Sequence, residues 1–309
     1  MQGGFLGMVL AEWRKARGRG LAWAVLLFGL MHGFVAVGLL MAGRYFESTM
    51  GPEAAADHLT WLVSGEFAVS LAALPVNGLA LLLLFAMVWA EDFSLGTIAM
   101  IFVRPVPRAQ VFAAKLTVCV LTALASMTAA LLCGLALGLP LFGVEGDLAG
   151  IGADTPFIGW MGAADGVFLP MLGGVFTGAF VNLPIAALAA LLAALFRSPV
   201  LTLFGSVMVL LGDAGVAFAT TVWSSFARGA CAKEAKLTDP TLLETLPCAE
   251  AEVPERLHDL TLWASRGFLG KRGLPEFFSE AGEALLVTGL WSALFLGLAL
   301  LLFTRRDVH

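Results

Sequence analysis

The chain has 309 residues, of which 59% are apolar and only 13% charged, where a soluble domain carries about 25% charged residues. With a mean hydropathy of +0.90, water cannot be the solvent for most of this surface. A net charge of −5, with no run of like charges and no basic stripe, also excludes the usual signature of nucleic-acid binding.

In chain order, residues 1–20 come first. Phe5, Met8, Val9 and Trp13 share one helical face, and Arg14, Lys15, Arg17 and Arg19 follow. Two readings fit: a helix lying in the membrane interface, or a basic anchor that only sets orientation. Six apolar blocks come next, at 21–42, 67–90, 116–142, 172–196, 200–226 and 284–303. Each reaches the roughly 20 residues that cross a bilayer as a helix. Lipid offers no partner to a free backbone group, so such blocks are helical. The ten-residue alternating segments of a membrane barrel are missing. The first block lacks a small-x-small exit and reads as an anchor rather than a cleaved leader. The expected fold is a single all-α transmembrane domain with six spans.

Orientation follows from the basic residues. With six spans both ends share one side, and that side holds Arg14, Lys15, Arg17, Arg19, Arg104, Arg108, Lys115, Arg197, Arg305 and Arg306. The shorter loops opposite, 43–66 and 143–171, hold Arg44 alone. The longer loop 227–283 adds seven basic residues, but long loops translocate with little regard to charge. Both termini are therefore expected in the cytoplasm, with 227–283 external. In that loop Leu257–Phe268 and Leu274–Phe278 are the apolar stretches expected to lie as short helices on the outer surface. Arg197-Ser198-Pro199 leaves room only for a tight hairpin between the fourth and fifth blocks.

Chemistry-bearing residues are few. The four histidines are scattered, and neither C-x-x-C nor G-x-S-x-G occurs. The nearest approach to a phosphate-binding loop, Gly267 to Arg272, has the wrong ending. This chain is therefore not expected to be an enzyme or to bind ATP, a metal or another cofactor. Cys119 and Cys133 fall in the third block and act as small apolar residues. Cys231 and Cys248 share the external loop with sixteen residues between them. A crosslink of that size stabilises by about 3 kcal/mol, and an external position favours oxidation. Two free thiols are the alternative. Asp213 lies inside the fifth block, where a carboxylate costs about 2.5–3.5 kcal/mol. It either serves a substrate pathway or caps a helix break between Gly212 and Gly215. Asn77 and Asn182 flank Pro75 and Pro184; each either lines a pathway or satisfies backbone freed by its proline.

The stretch after the second block carries the most pattern. Leu95, Ile98, Ile101 and Phe102 recur at helical spacing, acids Glu91 and Asp92 precede them, and Pro105 and Pro107 follow. A short amphipathic helix over 91–108 is expected there, with an ordinary charged loop as the alternative. The order Glu91, Gly96-Thr97, Arg104-Pro105-Val106, Arg108, Lys115 resembles the cytoplasmic loop of ABC-2 type transporter permeases. Glu12-Trp13-Arg14-Lys15 and Phe303-Thr304-Arg305-Arg306 are similar to that family's ends.

The resemblance implies the permease subunit of an ATP-binding cassette exporter in the inner (cytoplasmic) membrane. It implies two such subunits as a homo- or heterodimer, with separate ATPase subunits that carry the ATP and magnesium. Residues 91–108 would be the coupling helix, with Glu91, Gly96, Thr97, Ile98, Phe102, Arg104 and Arg108 meeting the ATPase. Residues 1–20 would be the interface helix. The long external loop leaves room for an extracytoplasmic protein partner. A secondary transporter would show internal repeats, and spans 1–3 do not resemble spans 4–6. A non-transporting membrane scaffold is the other alternative.

Overall fold

Long apolar stretches without interior breakers become long helices, and the computed structural model shows little else. It describes residues 4–18, 20–50, 61–73, 78–94, 107–142, 168–234, 248–261 and 282–305. Among these residues all regular structure is helical, in ten helices. They are α1 (Phe5–Gly18), α2 (Leu21–Met50), α3 (Trp61–Ala73), α4 (Gly78–Ser94) and α5 (Arg108–Phe142). Then follow α6 (Phe168–Val181), α7 (Leu183–Phe196), α8 (Pro199–Glu234), α9 (Ala249–Asp259) and α10 (Gly282–Arg305).

Among the described residues five stretches are long and apolar enough to cross a membrane: Leu21–Ala42, Arg108–Phe142, Gly173–Phe196, Pro199–Cys231 and Leu285–Arg305. The expected second span, 67–90, is met by α3 and α4, each shorter than a bilayer crossing. Helices α5 and α8 overrun the limits expected of the third and fifth spans, because nothing in 108–115 or 227–234 stops a helix. On the expected external loop, α9 takes in only residues 257–259 of the stretch 257–268, whose residues from 262 onward lie outside the described ones. The expected helix at 274–278 lies outside them too.

Helix α7 is the centre. Its buried residues run around every side, from Ile185, Ala186 and Ala187 to Leu192, Ala193 and Ala194, as befits a helix apolar all round. Helices α4, α8 and α10 pack against it. Asn182 separates α6 from α7. Its N–H bonds Ala179 O at 3.2 Å, which bypasses Gly178 O, and its Nδ2 supplies that carbonyl instead at 2.7 Å. Pro184 then sits in the first turn of α7, where a missing N–H costs nothing. At the other end Arg197 takes a left-handed φ of 54° and donates its N–H to Ala193 O. Ser198 Oγ accepts from Leu201 N–H to start α8.

Helices α2, α3 and α5 approach through small residues. A Cβ on Gly29 would come within 2.7 Å of Ala129 backbone, and one on Gly33 within 3.0 Å of Cys133 backbone. Glycines four apart thus lay α2 directly on α5, the small-x-x-x-small contact of membrane helices. Gly134 on α5 meets α3, where its added Cβ would lie 2.6 Å from Ser64 O; Ser64 Oγ donates to Gly134 O at 2.8 Å. Outward, Trp23, Leu27 and Phe34 on α2 and Leu286, Leu290 and Leu294 on α10 are exposed. Such a surface suits hydrocarbon.

Helix α9 folds back along α8. A disulfide joins Cys231 to Cys248 with their Cα atoms 6.2 Å apart. Arg228 Nε pairs with Glu255 Oε1 at 2.6 Å, and His258 Nδ1 lies 3.1 Å from Ala217 O.

Two outcomes are expected from this packing. Gly134→Ala forces backbone apart and costs about 1–3 kcal/mol, while Gly212→Ala, with open space around it, is neutral or stabilising. Unfolding midpoints in mixed detergent micelles compare the two. Alkylation of denatured, unreduced protein labels Cys119 and Cys133 only, and reduction exposes Cys231 and Cys248; free thiols at the latter pair before reduction would refute the crosslink.

Candidate functional site

A buried polar constellation lies where α1, α4 and α5 meet. Helix α1 buries Val9 and Ala16 and packs along α5, leaving Phe5, Leu6 and Leu10 exposed on its other side. Glu12, between the two buried positions, faces the same seam. On α5 the buried positions Val111, Lys115, Val118 and Thr122 fall at helical spacing, so Lys115 points inward with an otherwise apolar face. Its side chain has no exposed surface.

The ammonium of Lys115 lies 3.2 Å from Glu12 Oε2 and donates to Val88 O of α4 at 3.0 Å. The other oxygen of Glu12 takes Lys15 at 2.6 Å, with Lys15 about one-third exposed. One carboxylate thus serves two cations, one dry and one wet. A buried charge is tolerated only when paired and hydrogen-bonded, and Lys115 meets both conditions by drawing three helices together. Apolar contacts continue the junction: the Trp89 and Phe112 rings are 4.9 Å apart, and Phe112 meets Phe303 edge-on at 5.8 Å. Arg108 opens α5 and its Nη1 donates to Thr304 O of α10 at 3.0 Å. The last carbonyls of a helix have no internal partner, so this guanidinium caps α10 and meets the negative end of its dipole.

These elements frame residues 95–106, which lie outside the described ones, and with them lie Gly96, Thr97, Ile98, Phe102 and Arg104. Glu91, expected to open a separate helix over 91–108, belongs to the last turn of α4. No glycine or proline interrupts the chain before Gly96, and extending a helix costs less than nucleating one. Arg108, expected at the end of that helix, instead begins α5 directly after Pro107. Asn77 lies outside the described residues. Asp213 is half-buried on α8, in register with the buried stripe Thr202, Ser206, Leu210, Ala217 and Thr220. Helix α8 runs unbroken through Gly212 and Gly215, so there is no helix break for Asp213 to cap. Cys231 and Cys248 are joined, as above.

The sequence profile of the ABC-2 family transporter proteins matches residues 8–209. The chain belongs to the ABC-2 transporter family. It is accordingly a membrane transport subunit, not itself catalytic, and membership implies a membrane setting and an ATP-binding cassette ATPase as partner. No curated protein matches it. The matched region takes in Glu12, Lys115 and the whole loop between α4 and α5. Both members of the Glu12–Lys115 pair stand in motifs that resemble the family's, yet their pairing was not read from the sequence. A usable signal existed: a lone lysine in register with Val111, Val118 and Thr122 must find a counter-charge.

Removing Glu12 strands a buried ammonium and is expected to cost about 3–5 kcal/mol. Lys115→Met costs less, because Glu12 keeps Lys15. The double variant Glu12→Ala/Lys115→Met loses less than the sum, by about 1–3 kcal/mol. Unfolding in mixed micelles measures the cycle, and strict additivity would show that the two groups act independently.

Proposed function

We propose that this chain is the permease subunit of an exporter, paired with a second permease in the inner membrane and driven by separate ATPase subunits. The observation that carries the reading is the Lys115 junction. One buried cation ties α1 to the end of α4 and the start of α5, the two roots of the loop 95–107. A push on that loop therefore reaches α1 and the spanning helices together, as an ATPase without its own membrane segment requires.

In this reading the chain crosses six times, α3 and α4 in sequence supplying the second crossing, with both termini in the cytoplasm. The disulfide supports the orientation. Pro199 to Cys231 spans 33 residues, about 50 Å of helix against about 30 Å of hydrocarbon. Cys231 thus clears the bilayer on the side away from Arg197, where an oxidising compartment suits a crosslink. The exposed apolar side of α1 lies in the inner headgroup layer. Glu91, Gly96, Thr97, Ile98, Phe102, Arg104 and Arg108 belong to the surface that receives the ATPase, whose groove covers Ile98 and Phe102. ATP and magnesium bind on that partner. Asp213, on the inward stripe of α8, lines the substrate pathway.

Ile98→Asp together with Phe102→Asp is expected to release the ATPase without preventing membrane insertion. Affinity purification of the permease reads this directly. A doubly substituted chain that still carried its ATPase and still stimulated hydrolysis would sink the coupling role of 95–107.

A further inference from the structure

Helix α10 is held at both levels by hydrogen bonds from or to the last carbonyl groups of helices. Near its C-terminus, Arg108 donates to Thr304 O at 3.0 Å, and Phe303 is buried against Phe112. Nearer its start, Trp291 Nε1 donates to Leu260 O at 3.1 Å. Leu260 ends α9, so this indole satisfies a carbonyl that the helix itself leaves without a partner. Between the two contacts α10 is uninterrupted by proline and lies along the buried helix α7. From 291 to 304 it spans about 20 Å.

Helix α9 is in turn bound to α8 at three heights: the Cys231–Cys248 disulfide, the Arg228–Glu255 pair and His258 at Ala217 O. Helices α8 and α9 are therefore tied into one hairpin over residues 217–231 and 248–258. Trp291 supplies a side-chain hydrogen bond that joins this hairpin to α10.

We propose that Trp291 is a positioning residue that fastens the disulfide-locked α8–α9 hairpin to α10, so that displacement of the Arg108 end of α10 moves the hairpin on the opposite membrane face. This rests on the proposed ATP-driven reading. The loop 95–107 leads into Arg108, Arg108 grips the C-terminus of α10, and α10 carries the motion to Leu260 as a rigid rod. A packed helix held at both ends shifts as a unit rather than bending. The hairpin is then the outer element that the ATPase cycle opens and closes.

The test uses the complete transporter with its ATPase subunits in lipid nanodiscs, with Cys119 and Cys133 replaced by alanine and the disulfide kept. An environment-sensitive fluorophore at Leu257→Cys, an exposed position on α9, is read without nucleotide and after trapping with ATP and vanadate. Trapping is expected to shift its emission. Trp291→Phe, which keeps a ring against Phe295, removes the N–H and should shrink the shift about twofold or more while hydrolysis stays unchanged. With Trp291 in place, spin labels at Leu257 and Leu286 keep a constant separation in both states. An undiminished shift in Trp291→Phe, or a separation that changes on trapping, would overturn the proposal. A complex that hydrolyses ATP with no shift at Leu257 also overturns it and leaves the proposed function standing. Failure to assemble with any ATPase refutes the proposed function instead.

Discussion

The ammonium of Lys115 has no exposed surface, and the arrangement of three helices follows from that. An ion taken out of water must recover several kcal/mol of lost solvation from fixed partners. Lys115 finds a carboxylate on α1 and a carbonyl on α4, and each partner is useless unless its helix arrives at one place. Charge balance thus does what apolar contact cannot do inside a bilayer. Lipid tails are as apolar as leucine, so burying leucine between helices gives little drive to associate. A dry cation, by contrast, is strongly selective for the one geometry that pairs it.

Away from that junction, close approach takes over. Gly29, Gly33 and Gly134 allow α2, α5 and α3 to touch through backbone and small side chains, where dispersion is gained at short range and a Cβ would hold the helices apart. The central helix α7 follows the same rule with alanine. Only in the α8–α9 hairpin does a covalent bond join the other forces, together with an ion pair between two partly exposed groups, Arg228 and Glu255. Exposed pairs are worth little on their own, so there the disulfide is the dominant constraint.

These two ends of the molecule fit the same transport logic. At one end a buried charge converts separate helices into a unit. At the other a crosslink converts two helices into a hairpin. Helix α10 touches both, through Arg108 and through Trp291.

Much of the helical fold was legible in the sequence, because lipid leaves the backbone no alternative: the apolar blocks, the turn at Arg197-Ser198-Pro199 and the family resemblance all follow from local pattern. The cysteine pair was readable because both members stand in one segment outside the apolar blocks. The pair of helices over 67–90 was not: the described residues there belong to two helices, Trp61–Ala73 and Gly78–Ser94. Nor was the role of Glu12, which sits 103 residues from Lys115. By itself the sequence determined which residues must leave water and that they do so as helices, because that preference is a property of each segment alone. Only the tertiary structure decided which carboxylate neutralises Lys115, which carbonyl Arg108 caps and which helix carries Trp291 to Leu260. Those choices depend on where distant helices come to lie, and a solvation penalty names the need for a partner without naming the partner.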